Sequence, residues 1–274
     1  MIRKRKFKKV CSKIATILGW TNLGVTAGFC DVATSNPFPL TISGRRATGA
    51  PVTDTSFLNI GKPDRTGRSL IIGRIASSDR DLNRIISRLQ KQNIPISTVS
   101  APFIFVRPGL NYVRIEALDR PLDFAKRLRR ALNRNGEQVI SKPSRRCHRL
   151  ANIIGGDSLG LINGFCNVIK TQNKPLTILG RDATNAFNAT TIVLNAGRPD
   201  KNNKSLNLGR IPVLARNTSK LVRALRKRNI TIGSIITPYK TARPNLQHVN
   251  IQSVENAFVF ARKIAEVIRI QKLH

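Results

Sequence analysis

The stretch Pro39-Leu-Thr-Ile-Ser-Gly-Arg45 returns 136 positions later as Pro175-Leu-Thr-Ile-Leu-Gly-Arg181. The same offset aligns the chain with itself on both sides of this stretch, with no gap. Further matches at this offset pair Cys11 with Cys147, Cys30 with Cys166, Gly61–Asp64 with Gly197–Asp200, and Gly73–Ile75 with Gly209–Ile211. The repeat is too long and its copies too few for a solenoid. The sequence therefore predicts two tandem copies of one domain.

Each copy contains helical and β-like patterns in the same order. In the first copy Leu82, Ile85 and Leu89 recur at helical spacing and predict a helix over residues 79–93. Further helices are predicted around 11–18 and after Asp119, and strands at 40–43, 56–60, 70–75, 94–106 and 112–117. We therefore predict an α+β fold of two tandem copies, each a mainly antiparallel sheet with packed helices. The predicted parts are a basic N-terminal segment (1–10), repeat domain 1 (11–132), a linker (133–146) and repeat domain 2 (147–274).

The chain is strongly basic throughout. It has 48 Lys and Arg against 14 Asp and Glu, a formal net charge of +34 over 274 residues. Such a charge opposes compaction, so it predicts a polyanionic partner. Aromatic residues are only 5% of the chain, which argues against a protein that stacks unpaired bases. The charge therefore favours a polymer bound through its phosphates, such as duplex DNA or structured RNA.

The candidate polyanion-binding residues are cations on predicted helices with few acidic neighbours. They are Arg80, Arg84, Arg88, Lys91, Lys126, Arg127, Arg129, Arg130, Arg216, Lys220, Arg223, Arg226, Lys227, Arg228, Arg262 and Lys263. The scarcity of acidic residues at i,i+4 favours a ligand surface over a merely solvated face. A second set recurs at turns or strands, where it either contacts anions or braces the fold: Arg45, Arg74, Arg107, Arg181, Arg210 and Arg243.

The sequence offers little material for catalysis or metal binding. His148, His248 and His274 are the only histidines, and we predict that they lie on the surface. The four cysteines form two pairs at equal spacing, and we predict buried free thiols; a disulfide within each copy, Cys11–Cys30 and Cys147–Cys166, is the alternative. Asp64 and Asp200 are predicted to bond the backbone of their own turns. We predict no catalytic residue, no metal and no cofactor.

From Asn93 to Leu132 the order of motifs resembles the family of unknown function that includes the LppY and LpqO lipoproteins. The resemblance covers nearly all of both copies and is carried by Ile17–Gly19, Leu40–Gly44, Leu70–Gly73, Ile153–Gly156 and Leu176–Gly180, among other segments. It implies that a His-Asn-His segment of the family falls on Ser100–Pro102 and Ile236–Pro238. A later strand histidine of the family falls on Arg114 and Asn250. None of these positions is histidine here, so the resemblance implies the family's fold without its histidines.

These observations lead to one main functional prediction and two alternatives. The main prediction is a non-enzymatic, basic protein that binds a polyanion, namely nucleic acid, through sequence-independent phosphate contacts. The first alternative is a self-assembling structural protein, such as a coat, fibre or spore-associated layer, and the second is a residual enzyme of the LppY/LpqO-like family. We expect a cytoplasmic, or spore-associated, protein without a membrane span, whose further partner is its own copy in an oligomer or filament.

Overall fold

The computed structural model describes residues 4–133 and 136–273. The elements of the first copy are α1 (Lys4–Leu18), β1 (Thr21–Thr26), β2 (Phe29–Ser35), β3 (Thr41–Ile42), β4 (Arg45–Arg46), β5 (Thr55–Gly61), β6 (Ser69–Ser78), α2 (Asp79–Lys91), β7 (Ile96–Ser100), β8 (Val106–Arg107), β9 (Leu110–Asp119) and α3 (Pro121–Leu132).

The second copy repeats this order with small changes. Its elements are α4 (Arg145–Ile154), β10 (Asp157–Ile162), β11 (Phe165–Thr171), β12 (Thr177–Ile178), β13 (Arg181–Asp182), α5 (Phe187–Thr190), β14 (Thr191–Ala196), β15 (Ser205–Leu214), a 3-10 turn (Ala215–Asn217), α6 (Thr218–Arg226), β16 (Thr231–Ile236), β17 (Leu246–Glu255) and α7 (Ala257–Ile270).

Each copy contains one six-stranded sheet in which all neighbouring strands are antiparallel. The strand order is β1-β2-β5-β6-β9-β7 in the first copy and β10-β11-β14-β15-β17-β16 in the second. The two orders correspond strand by strand. The predicted fold class, two tandem copies with antiparallel sheets and packed helices, is confirmed.

Alternate residues of each strand point to opposite faces of its sheet. In β6, Ile71 and Ile75 join the apolar core beneath α1, α2 and α3, whereas Leu70 and Ile72 join a different core on the other face. The second sheet is divided in the same way, with α4, α6 and α7 over one face. Each sheet therefore has a helix-covered face and a second face that needs another cover.

The second faces of the two sheets cover each other, together with a loop from each copy. Residues 47–52 of the first copy pack against β14 and β15 of the second. The corresponding loop of the second copy, residues 183–189, packs against β2 and β6 of the first. The molecule thus has four layers, in which the two sheets meet in the middle and the helices lie on opposite outer sides. The two copies form one body with a shared interior.

Reciprocal hydrogen bonds join the copies at equivalent positions. Asn59 accepts from the backbone N–H of Asn188, and its counterpart Asn195 accepts from that of Val52, at 2.7 and 2.8 Å. Because each bond is made twice by residues 136 positions apart, the contact between the copies has approximate two-fold symmetry.

Ion pairs also join the two copies at equivalent positions. Arg45 pairs with Asp200 of the second copy at 2.6 Å, and Arg181 pairs with Asp64 of the first. Both carboxylates also accept backbone N–H bonds within their own turns, from residues 66 and 68 and from residues 202 and 204. The predicted turn role of Asp64 and Asp200 is confirmed, and Arg45 and Arg181 brace the fold.

Glycine is required where a strand of each sheet approaches its neighbour. A Cβ atom on Gly73 would lie 2.4 Å from a methyl carbon of Leu58, and one on Gly209 would lie 2.6 Å from the same atom of Leu194. The repeated Gly-Arg pair of β6 and β15 therefore has two separate roles. The glycine fits the close approach on the helix-covered face, and the arginine that follows points to the shared interior.

Several predicted elements differ from those observed. Helix α1 begins at Lys4 and not near Cys11, because Phe7 lies on the same helical face as Cys11 and Ile14 and is fully buried. The predicted strand 94–106 is divided into β7 and β8, since the intervening loop crosses to the other copy: Ser234 Oγ donates to the carbonyl of Pro102 at 3.0 Å. The hairpin of β1 and β2 was not predicted.

The cysteines form disulfides, Cys11–Cys30 and Cys147–Cys166, with Cα atoms 5.4 and 5.0 Å apart. The prediction of free thiols was wrong. Each bond ties the first helix of a copy to the second strand of its sheet, inside the helix-covered core. Burial was correctly inferred, but burial alone does not distinguish a thiol from a disulfide.

Candidate functional site

The predicted cations of the first copy lie on α2 and α3, on the outer side of their sheet. Arg80, Arg84, Lys91, Lys126 and Arg130 are exposed, whereas Arg88, Arg127 and Arg129 are partly buried. Arg84 pairs with Asp81 at 2.5 Å, and Arg127 pairs with Asp119. Arg127 also donates to the carbonyls of Gln92 and Asn93. Part of this set therefore holds α3 against the end of α2.

The predicted cations of the second copy are more exposed and have fewer acidic neighbours. Arg216, Lys220, Arg223, Arg226, Lys227 and Arg262 are exposed. Arg228 pairs with Glu266 at 2.5 Å and Lys263 with Glu255 at 2.6 Å, so these two are partly neutralised. The chain has no acidic residue between Asp200 and Glu255. Lys220, Arg223, Arg226 and Lys227 accordingly make no ion pair with any described residue. We call these four residues the α6 cations.

The layers separate the predicted cations into two groups. Those of α2 and α3 cover the outer side of the first sheet, and those of α6 and α7 cover the outer side of the second. The prediction treated all sixteen as one binding set. The four-layer arrangement instead divides them between opposite sides of the molecule, and the α6 cations are the group least engaged with the protein itself.

A second group of cations lies in the shared interior. Arg74, Arg114 and Arg210 are 4%, 0% and 1% exposed. They come from β6, β9 and β15, on the strand faces that meet between the copies. With them lie buried aromatic residues, Tyr112, Tyr239 and His248. We call these six residues the buried arginine cluster.

Hydrogen bonds hold two of the three arginines in equivalent positions. Arg74 donates to the carbonyls of Pro51 and Thr55 at 2.7 and 3.2 Å. Arg210 donates to the counterpart carbonyls of Phe187 and Thr191 at 3.1 and 3.4 Å. These bonds hold the covering loop of each copy, and they assign a bracing role to this repeated pair.

Arg114 makes no hydrogen bonds of this kind to backbone carbonyls. None of its three guanidinium nitrogens has a hydrogen-bond partner within the described protein, and the same is true of Nε and Nη1 of Arg210 and of the Tyr239 hydroxyl. The Arg114 guanidinium carbon lies 5.4 Å from the centre of the Tyr112 ring, and that of Arg74 lies 4.8 Å from it. The Tyr112 ring thus provides a cation–π contact to both arginines.

Burial and neighbouring charges shift the pKa values of Arg114, Arg210, Tyr239 and His248. Burial lowers the pKa of Arg210 to about 9, with further lowering by the charges of Arg74 and Arg114. Burial also lowers the pKa of Arg114 to about 10, so both arginines remain charged at neutral pH. Burial raises the pKa of Tyr239, which therefore keeps its proton. The pKa of His248 is held well below its usual range by burial and by the arginines.

Only part of the buried arginine cluster was predicted from the sequence. Arg74 and Arg210 are among the repeated arginines, and Arg114 was identified by its register with a family histidine. No role was predicted for Tyr112 or Tyr239, and His248 was predicted to lie on the surface. His248 is fully buried and its Nε2 lies 3.0 Å from the carbonyl oxygen of Ala189, so the prediction of a surface histidine was wrong there. His148 is exposed, and His274 lies outside the described residues.

Among residues 4–133 and 136–273, no three His, Cys, Asp or Glu side chains are grouped so that they could hold a metal ion. None of the helices in the described part of the chain combines the length and hydropathy of a membrane span.

The fold and the repeat define a class of duplicated α+β protein, and a family model matches both copies. It covers residues 12–134 and 148–270. The chain belongs to this family, DUF1529, which is described as a Domain of Unknown Function (DUF1259).

Comparison with other proteins adds little to this assignment. No curated protein matches the chain. Among solved structures, the trimeric microcompartment shell protein PduB is 12% identical, with 90% of each chain covered and a TM-score of 0.20. EtuB from Clostridium kluyveri is 9% identical, with 92% of this chain and 93% of that chain covered and a TM-score of 0.21. TP0453 is 13% identical, with 78% and 80% covered and a TM-score of 0.21. At such TM-scores the likeness supports no functional conclusion.

Proposed function

We propose that this protein is non-enzymatic and binds a polyanion through phosphate contacts made by cations on its surface. Nucleic acid is the first partner to test. The α6 cations carry the proposal. They are exposed, they make no ion pair with any described residue, and residues 201–254 around them contain no Asp or Glu. Cations in such a setting attract phosphates without reading a base sequence.

Binding to duplex DNA and to RNA is expected to weaken steeply with salt. For about eight neutralised phosphates, log K falls against log salt with a slope of about −7. The triple variant Lys220→Gln/Arg223→Gln/Lys227→Gln is expected to reduce that slope by about 3, since each contact contributes about one. Fluorescence anisotropy at several salt concentrations measures both slopes.

The matched control is Arg84→Gln, because Arg84 is exposed but already paired with Asp81. We expect its slope to equal that of the unchanged protein to within one contact. A slope near zero for the unchanged protein would rule out the proposal. An unaltered slope in the triple variant would show that the α6 cations do not contact the polyanion.

The disulfides bear on where the protein acts. The sequence led us to expect a cytoplasmic protein and free thiols, but both cysteine pairs are oxidised in the structure. Disulfides persist mainly in oxidising compartments. We therefore propose an oxidising compartment as the place of action. Inorganic polyphosphate then belongs beside DNA and RNA as a third probe in the salt titration.

A self-assembling structural protein is the second candidate, and strand edges favour it. β7 and β16 are the last strands of their sheets, and each bears an exposed apolar side chain, Val99 at 40% and Ile235 at 44%. Phe105, in the loop after β7, is 72% exposed. An edge strand with exposed apolar side chains can pair with another chain. Ser97 and Ser234 of these strands also bond to the other copy, at the carbonyls of Pro238 and Pro102, so pairing with a further chain would extend beyond those contacts.

If assembly uses these edges, the purified protein forms large species at both low and high salt. The variant Val99→Lys/Ile235→Lys is then expected to remain a single small species, because edge lysines oppose strand pairing. Sedimentation velocity and electron microscopy provide the measurement. Ile140→Lys is the control, since Ile140 is 65% exposed outside any strand. A small species for the unchanged protein at all concentrations would exclude this candidate.

A further inference from the structure

The buried arginine cluster contains more unpartnered donors than the protein around it can satisfy. Arg114 contributes three nitrogens, Arg210 two, and Tyr239 its hydroxyl, and none has a hydrogen-bond partner within the described protein. Buried polar groups in folded proteins are nearly always paired, so each exception requires an explanation. These six atoms are donors within one cluster, and the only other unpartnered atom of the cluster's described side chains is His248 Nδ1, an acceptor on the neutral ring.

The nearby acidic groups do not neutralise these donors. The charges of Glu116 and Asp54 act on Tyr239 and Tyr112 of the cluster, respectively. Glu116 instead accepts from the backbone of Lys240 and Thr241, at 3.0 and 3.2 Å. Asp54 accepts from the backbone of Gly49 at 2.6 Å, and burial raises its pKa to about 6. The cluster therefore keeps an excess of positive charge in a medium where an unpaired charge is costly.

We propose that the buried arginine cluster binds one small oxyanion, of the phosphate or sulfate type, between the two copies of the domain. Arg114 and Arg210 provide the charge-assisted hydrogen bonds, and the Tyr239 hydroxyl provides a further donor. A guanidinium group is a planar fork whose paired N–H groups match two oxygens of such an anion. The ligand satisfies the unpartnered donors and offsets the repulsion among the arginines.

The two repeated arginines and Arg114 have different parts in this site. Arg74 and Arg210 each hold a covering loop through two backbone carbonyls. Arg114 holds no backbone group, and its counterpart in the second copy is the shorter Asn250. Arg114 is therefore the residue whose donors are available to a ligand and whose loss leaves the fold's own hydrogen bonds intact.

The site is distinct from the α6 cations, and its test separates the two. Isothermal titration calorimetry uses inorganic phosphate and sulfate as probes, at high sodium chloride so that exposed cations are screened. We expect saturable binding of one anion per chain. Native mass spectrometry of the purified protein checks for one phosphate or sulfate that is already bound.

Arg114→Asn, which places the counterpart's side chain in the first copy, is expected to weaken binding by at least about tenfold. Without the anion, this variant is expected to unfold at no lower temperature than the unchanged protein. Loss of an arginine that stabilises the fold would instead lower the unfolding temperature. Arg223→Asn, on the exposed face of α6, is the control and is expected to bind the anion with unchanged affinity. The α6 triple variant should likewise keep this binding even where polyanion binding is lost.

Tyr239→Phe provides a second test that removes only the unpartnered hydroxyl, and we expect it to weaken binding several-fold. The proposal is overturned if neither anion binds saturably and none is found in the purified protein. It is also overturned if Arg114→Asn and Tyr239→Phe both bind as the unchanged protein does, or if Arg223→Asn loses affinity to the same extent as they do.

Discussion

Replacing Asp31 by asparagine is expected to stabilise the protein above neutral pH by up to about 4 kcal/mol. Asp31 is 6% exposed on the face of β2 that meets the second copy, and burial raises its pKa from 3.8 to about 7. Such a change corresponds to about 1.4 kcal/mol for each pKa unit. The folded state keeps the Asp31 proton at pH values where the unfolded chain has released it. Stability is therefore expected to fall as the pH rises from about 4 to about 7.

The second copy contains the matched control for this prediction. The counterpart of Asp31 is Asn167, and it makes the equivalent hydrogen bond: Asn59 Nδ2 donates to Asp31 Oδ1 at 2.5 Å, and Asn195 Nδ2 donates to Asn167 Oδ1 at 2.9 Å. Asp31→Asn should flatten the pH profile, and Asn167→Asp should steepen it. Urea unfolding at pH 5 and pH 8 measures both. If the free energy of unfolding changes by the same amount between pH 5 and pH 8 in all three proteins, burial does not raise the pKa of Asp31.

The second large effect is expected from the disulfides. Exchanging Cys147 and Cys166 together for alanine is expected to lower the free energy of unfolding by about 3 kcal/mol, the loop-closure value for a bond between residues 19 positions apart. The equivalent change at Cys11 and Cys30 should have a similar effect, since the sequence separation is the same. Denaturant unfolding of each double variant gives the two values.

Treatment with a reductant provides the control for the disulfide prediction. A reductant should destabilise the unchanged protein by the combined amount, and each double variant only by the part due to its remaining bond. A variant that lacks all four cysteines should be insensitive to it. If the unchanged protein unfolds at the same denaturant concentration with and without reductant, the disulfides do not contribute to stability.

The sequence predicted the features that depend on local pattern or on the repeat. Internal alignment gave the two copies, and helical spacing gave α2, whose Ile85 and Leu89 are buried as expected. The turn role of Asp64 follows from short-range chemistry. Helix α1 was predicted too short because its first residues are a run of Lys and Arg, which hides the single apolar residue, Phe7, that anchors it.

The buried arginine cluster could not be predicted from the same patterns. In β9, polar Tyr112, Arg114 and Glu116 alternate with apolar Val113 and Ile115. This alternation ordinarily indicates a strand with one face in water. Here the polar face is buried against the other copy, and the residue pattern of the strand alone does not indicate this burial. The disulfides were missed for a comparable reason, because the spacing of two cysteines does not reveal their redox state.

The approximate two-fold symmetry of the shared interior has a consequence for what the protein can bind there. In an isologous homodimer of single domains, every residue near the axis is present twice, so an arginine at position 114 would face its own duplicate. Covalent fusion of the two protomers removes that constraint. Arg114 corresponds to Asn250 in the second copy, and Tyr112 corresponds to His248, so the shared interior offers an asymmetric set of donors that two identical protomers could not provide.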